Sequence, residues 1–307
     1  MKEKSINEIY SEWKEMKRRL VKESTLSTYT TNAEKHILPL LGTRNGLKEN
    51  DVQSFVFNLL GQGLSTKTVK DILIILKMIV HFGVKRGCMK WCEWDVKLPK
   101  NEERTTVKVL TMSQQKTVMA FLKNNFSFRN LGLYICLNTG MRIGEICALK
   151  WDDINIGSKT ININRTIERV YVTEGKHRYT KVIISSPKTI CSRREIPIST
   201  ELTRMLRPIM TIATRDGYVL TNAAKPLEPR IYRRYYQKIM ERLGMPCINF
   251  HGLRHTFATR CIESNCDYKT VSSILGHSNI STTLNLYVHP DIGQKRKCID
   301  KMMKAMR

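Results

Sequence analysis

Apolar positions recur at three- and four-residue intervals through the first ninety or so residues, the spacing that lines one face of a helix. In "INEIYSEWKEMKRRL" the apolar side chains are separated by charged ones. "STLSTYTTNAEKHILPLLG" opens on hydroxyl residues suited to an N-cap and is punctuated by Pro39 and Gly42. "NDVQSFVFNLLGQG" stops at Gly61 and Gly63. In "STKTVKDILIILKMIVHFGVKRG", Val69, Ile72, Leu73, Leu76, Ile79 and Val80 follow the helical period. The extra apolar residues among them predict burial on more than one side. The period lapses from Val96 to Val109, a polar stretch with Pro99 that predicts a linker. Thr111 and Gln114 then stand at capping-box spacing and open new helices in "LTMSQQKTVMAFLKNN", "RNLGLYICLNTG" and "RIGEICALKWDDI". "TININRTI", "RYTKVIISSP" and "RREIPIST" alternate and are rich in β-branched residues, predicting one small antiparallel sheet. Helical spacing returns after Thr200 and runs into a basic tail. The expected fold is mainly α. A helical bundle over residues 1–95 and a linker over 96–109 precede a mixed α+β domain over 110–307, whose tail is 291–307.

Charge is the strongest compositional signal. Lys and Arg number 52 against 27 Asp and Glu, a formal net charge of +25 spread along the chain. A folded protein with basic surfaces of this extent points to a polyphosphate partner, and nucleic acid is the natural one. No apolar run reaches the 18 residues of a membrane span; the most apolar, "DILIILKMIVHF", carries Lys77. The first residues are charged and lack the apolar centre of a signal peptide, so a cytoplasmic protein with no membrane partner is expected. The nine cysteines are odd in number and form no CxxC pair, which argues against a disulfide framework or structural zinc and for mostly reduced, partly buried thiols.

Five fragments of the second domain carry candidate chemistry: "TGMRIGE" with Arg142 and Glu145, "SSPKT" with Lys188, "HGLRH" with His251 and Arg254, "LGHSN" with His277, and "LNLYV" with Tyr287. Each is unremarkable alone; their joint presence in a basic protein is not. Metal-free cleavage of a phosphodiester needs a nucleophile, fixed cations for the non-bridging oxygens and a proton for the leaving oxygen. A guanidinium's planar fork matches two phosphate oxygens, so Arg142 and Arg254 can clamp them. His251 and Arg254, three apart on a helix, share a face. His277 follows Gly276, a helix-ending residue, and can point into a cleft. Lys188 can serve as general acid. Tyr287 is the candidate nucleophile; a phenol loses its proton near pH ~10 in water, and neighbouring cations favour the phenolate. A rival use of "HGLRH" takes His251 and His255 as i, i+4 metal ligands, but Gly252 stands where a zinc hydrolase has Glu and Arg254 repels a cation. His255 is expected to be a packing residue.

The order Arg, Lys, His-x-x-Arg, His, Tyr resembles the signature of the tyrosine recombinase (phage integrase) family, and the likeness covers nearly the whole chain. "TGMRIGEICALKWDDI" is similar to the family's first conserved box and "HGLRHTFATRCIESNCDYKTVSSILGHSNISTTLNLYVH" to its second. The resemblance implies a SAM-like, core-binding helical domain that clamps the duplex together with the catalytic domain. It implies that Tyr287 forms a 3′-phosphotyrosine bond, that Arg142, Arg254 and His277 hold the phosphate, and that Lys188 protonates the 5′-oxygen. It also implies that His251 assists proton transfer or positioning and that Glu145 supports the site. No cofactor, ATP or metal is implied. The implied partners are double-stranded DNA core sites and a homotetramer passing through a Holliday junction, the tail docking on a neighbouring subunit. Directionality or host factors are further partners on which the residues are silent. The likeness is to integrases of bacterial phages and integrative conjugative elements that lack a small arm-binding domain. The charged connection in "NRTIERVYVTEGKHRYTKVII" is expected to touch DNA or a partner subunit. Two alternatives stay open: a type IB topoisomerase-like nicking and resealing enzyme, and a non-catalytic DNA-binding regulator of the same fold.

Overall fold

A computed structural model of the chain describes residues 3–99, 107–174, 177–187, 192–246, 248–287 and 292–306. The chain divides into two compact units, Met1–Thr105 with Arg169–Val182, and Thr106–Glu168 with Ile183–Arg307.

The first unit holds helices α1 (Ile6–Leu20), α2 (Glu23–Asn32), α3 (Leu38–Leu41), α4 (Glu49–Gly61) and α5 (Thr66–Lys85). Ser5 caps α1: Glu8 returns its carboxylate to the Ser5 N–H at 2.8 Å, so two of the end's free donors find acceptors. Pro39 has no N–H to offer the preceding turn. The chain meets it with a π-turn over Ala33–Ile37, and the single helix expected here becomes three successive segments. Trp13, Ile6, Ile9, Ile37, Leu59, Ile72, Leu76 and Ile79 lose essentially all contact with water in one core. Each such side chain contributes about 1.5–3 kcal/mol by burial. The expected two-sided burial of α5 is partial: Ile75 turns inward, whereas Ile74 stays exposed.

The second unit begins with α6 (Met112–Asn124), α7 (Phe128–Thr139) and α8 (Ile143–Ala148), followed by a 3-10 turn at Trp151–Asp153. Thr111 and Gln114 close the expected capping box on α6, at 3.2 and 2.9 Å. The strands are β1 (Ile154–Asn155), β2 (Thr160–Ile163), β3 (Thr166–Glu174), β4 (His177–Ser185) and β5 (Arg194–Pro197). Helices α9 (Thr200–Met210), α10 (Pro229–Arg242), α11 (His251–Glu263), α12 (Tyr268–Leu275), α13 (Ile280–Tyr287) and α14 (Ile292–Ala305) follow.

The strands form two sheets rather than the one expected. β1, β2 and β5 make a three-stranded sheet in that order, with Ile161 opposite Ile196 and Ile163 opposite Arg194. Among the described residues, β3 and β4 pair only with each other. The reason is local: Asn164 and Arg165 interrupt "TININRTI", so its first half pairs with β5 and its second half starts the hairpin. β4 is exposed along most of its length and has no apolar face to add to the other sheet. Within the first unit, the Tyr171 N–H donates to Ser27 Oγ at 2.7 Å, Thr173 Oγ1 donates to Glu34 at 3.0 Å, and Lys181 pairs with Glu23 at 2.7 Å. The second unit's core gathers Leu131, Ile135, Cys136, Ile146, Cys147, Ile161, Leu202 and Tyr232.

Candidate active site

The end of α12 organises the site. Gly276 caps this helix in the left-handed region, at φ 67°, and leaves its last carbonyls without helical partners. Three consecutive carbonyls receive three arginines from three other segments. Arg194 Nε donates to Ile274 O at 2.6 Å, Arg254 Nη2 to Leu275 O at 2.7 Å and Arg142 Nη2 to Gly276 O at 3.1 Å. A helix C-terminus carries partial negative charge, so it offsets part of the repulsion among the guanidiniums it collects. Arg254 Nη1 is held a second time by Gly140 O, at 2.9 Å. Gly140 is the left-handed cap of α7, at φ 66°, and a Cβ there would lie 2.6 Å from Phe257 and 2.8 Å from Leu275.

Glu145 completes the charge balance. It is buried, accepts from Arg142 Nη1 at 2.8 Å, and takes a two-pronged contact from Arg194 at 3.0 and 2.9 Å. Its second oxygen also accepts from the Arg142 N–H at 2.9 Å, so the carboxylate that orients the arginine also starts α8. Burial alone would raise its pKa; the Arg194 and Arg142 cations outweigh burial and hold it below the usual 4.5. Arg254 is 1% exposed, and burial, then Arg142, pulls its pKa down to about 9. Its Nε is buried without a hydrogen-bond partner.

The histidines surround this cationic centre. His277 Nδ1 pairs with Thr283 Oγ1 at 2.9 Å; burial first, then Arg254 and Arg142, lowers its pKa to about 4. His251 meets His255 edge to face, with ring centroids 4.6 Å apart, and loses basicity to desolvation first and then to His255 and Arg254. Tyr287 packs with Ala258, Val271 and Leu275, and its hydroxyl lies 2.5 Å from His255 Nδ1. Burial raises its pKa to about 12, although Arg254 and Arg142 pull the other way. The expectation that cations favour the phenolate thus holds for the sign of their effect and fails for the net result. The expectation for His255 also needs correction, since its ring nitrogen bonds the phenol rather than merely packing.

The structure therefore brings Arg142, Glu145, Arg254 and His277 to one helix end, and sets His251 and Tyr287 against His255. Lys188 lies outside the described residues. Beside the arginines opens a cleft of about 360 Å³ lined by Arg193, Arg194, Lys269, Ser272, Gly276 and His277. Such an arrangement can bind a phosphate diester and present an oxygen nucleophile to it. Sequence reasoning missed Arg194, although "RREIPI" held a signal: Arg194 is in phase with the buried Ile196 and Ile198, so strand alternation turns it inward. Among the described residues, no group of three or more His, Cys, Asp or Glu side chains is placed to hold a metal, and no helix is long and apolar enough to cross a membrane.

Known proteins carry the same pattern. Residues 108–293 match the phage integrase family, and residues 5–56 match the phage integrase N-terminal SAM-like domain. A XerC-like tyrosine recombinase of Caldanaerobacter subterraneus subsp. tengcongensis is 30% identical over 279 residues, covering 83% of this chain and 71% of that protein. The transposase from transposon Tn916 of Enterococcus faecalis is 25% identical, covering 81% of this chain and 65% of that protein. In structure, the chain is similar to the Tn1549 transposon integrase in complex with transposon right end DNA, at 22% identity and a TM-score of 0.76, covering 98% of this chain and 100% of that one. Half-chain family match, SAM-like N-terminus and recombinase relatives agree: the chain belongs to the phage integrase family and is a tyrosine recombinase.

Proposed function

We propose that the chain cuts and rejoins DNA at specific core sites to integrate and excise a mobile element. In this reading Tyr287 attacks the scissile phosphate and forms a 3′-phosphotyrosine bond, freeing a 5′-hydroxyl. The observation that carries it is the seating of Arg142 and Arg254 on adjacent carbonyls, with His277 next in the chain. Guanidiniums fixed before substrate arrives need no rearrangement as charge builds on the phosphate oxygens, the usual source of the largest share of catalysis. Glu145 holds Arg142 in place, His251 assists proton transfer or positioning, and Lys188 protonates the leaving 5′-oxygen. The energy of the broken bond stays in the phosphotyrosine, so joining needs no ATP.

The likeness to the transposase from transposon Tn916 supports a mobile-element role. The SAM-like N-terminal region supports residues 1–95 as a DNA-binding domain ahead of a catalytic domain over 110–307. Two duplexes contain four strands and each chain supplies one Tyr287, so a homotetramer is the assembly that exchanges them all.

The test is a duplex core site with a nick just beyond the scissile phosphate, so that the freed fragment diffuses away and covalent complexes accumulate. In EDTA, the wild-type chain should give a covalent band on a denaturing gel and Tyr287→Phe none. Tight DNA binding without any band would instead favour a DNA-binding regulator.

A further inference from the structure

The reading above gives Tyr287 a phosphate to attack but does not name the atom that takes its proton. The phenol is buried among Ala258, Val271 and Leu275, and its pKa is pushed up to about 12. At neutral pH it is a protonated, poor nucleophile, and a base in contact with it would therefore matter. Of the site's histidines, His277 Nδ1 is engaged by Thr283 and His251 packs edge-on against His255. His255 Nδ1 is the ring nitrogen that lies on the Tyr287 hydroxyl.

We infer that His255 is the general base for Tyr287, accepting the phenol proton as the tyrosine attacks. This rests on the proposed nucleophile and deepens it. The step balances as follows. The Tyr287 O–H bond breaks and its proton forms an N–H bond at His255 Nδ1. The oxygen pair forms the new O–P bond, and the P–O5′ bond breaks. The leaving 5′-oxygen keeps that pair and takes its proton from the cationic side chain to which the reading above assigns that role. On rejoining, the imidazolium returns the proton to Tyr287, so one residue serves both directions.

The surroundings keep His255 ready to accept. Burial first, then Arg254, lowers its basicity below the usual histidine value, so the ring is neutral near pH 7. The charged and titratable groups around it are His251 and Arg254 on its own helix, Tyr287 on α13, and His277 at the end of α12. His255 and Tyr287 belong to separate helices, α11 and α13, so the pairing is made only when α13 is seated.

The experiment uses the nicked duplex, single turnover, from pH 5 to 8, with wild type, His255→Gln, His255→Ala and Tyr287→Phe. DNA affinity and unfolding midpoints show that the variants are folded and bind. His255→Gln should form the covalent complex roughly 10²-fold or more slowly, the usual contribution of a general base. The fall in wild-type rate on the acid side should vanish in the variant. Added imidazole should partly restore His255→Ala. A substrate with sulfur at the leaving 5′ position departs without a proton, and it should not rescue His255→Gln. A wild-type rate in folded His255→Gln, an unchanged acid limb, or full rescue by the sulfur substrate would each overturn the assignment. Adduct formation by Tyr287→Phe, or none by wild type, would overturn the nucleophile reading beneath it.

Discussion

Glu145 is the smallest part of the site with the widest reach. It is 4% exposed and meets two guanidiniums, one of them the 6% exposed Arg194. Removing one partner from a buried ion pair leaves an uncompensated charge, so Glu145→Gln should lower the unfolding free energy by about 3–5 kcal/mol, read from urea midpoints. The pH dependence has a definite sign. A carboxyl whose folded pKa lies below its usual 4.5 stabilises the fold above that value and loses the contribution as pH falls through the folded pKa. His277 acts in the same direction from higher pH. Its pKa falls from 6.5 to about 4 on folding, so between those values the unfolded chain binds the extra proton and stability drops as acid is added. The DNA-free chain should therefore lose stability in two stages, below pH 6.5 and again below pH 4.5, with the lower stage smaller in Glu145→Gln.

At the scale of elements, helix ends position the chemistry. Gly140→Ala places a side chain at φ 66°, which costs an L-residue about 1–2 kcal/mol before any contact is counted. Its Cβ would also meet Phe257 and Leu275 well inside normal contact. The unfolding free energy should drop by at least that amount, read from urea midpoints. Because Gly140 O holds Arg254, covalent-complex formation should slow more than DNA binding weakens. The same scale shows what the chain discloses in advance. The second domain's helices, the Thr111–Gln114 cap and the Gly276 stop were legible, because each is set by residues a few positions apart. The candidate residues were legible as a set, from their order. Their partners were not: nothing near Arg142 or Arg254 in sequence indicates Leu275 O or Gly276 O, because a carbonyl's direction is decided by packing. The rise in the Tyr287 pKa was illegible for the same reason, since burial belongs to the assembled helices. The second sheet was missed because β4 has the β-branched signature of a core strand without its one-sided burial.

For the whole molecule, the net charge of +25 sets how the protein should meet DNA. Each phosphate neutralised releases counterions, so a log–log plot of affinity against salt should be linear with a slope near −0.9 per contact. With 6–10 contacts, affinity should fall by about 10³–10⁵ between 50 and 200 mM salt, measured by fluorescence anisotropy. A flat plot would remove the polyphosphate partner from which the functional case began. Phosphate contacts fix position without reading base sequence, so target choice should rest on side chains that reach base edges.

The seating of three arginines on Ile274, Leu275 and Gly276 also bears on which changes of length the chain tolerates. Successive residues of a helix advance about 1.5 Å and turn about 100°. One residue inserted within α12 would leave the helix intact and rotate every later carbonyl away from its arginine. The helix would still fold, and the phosphate seat would be lost in all three places at once. An extra residue in the Ser264–Asp267 turn before it can instead be taken up as slack. Along this stretch, length variants should accumulate in the turn and be purged from the helix.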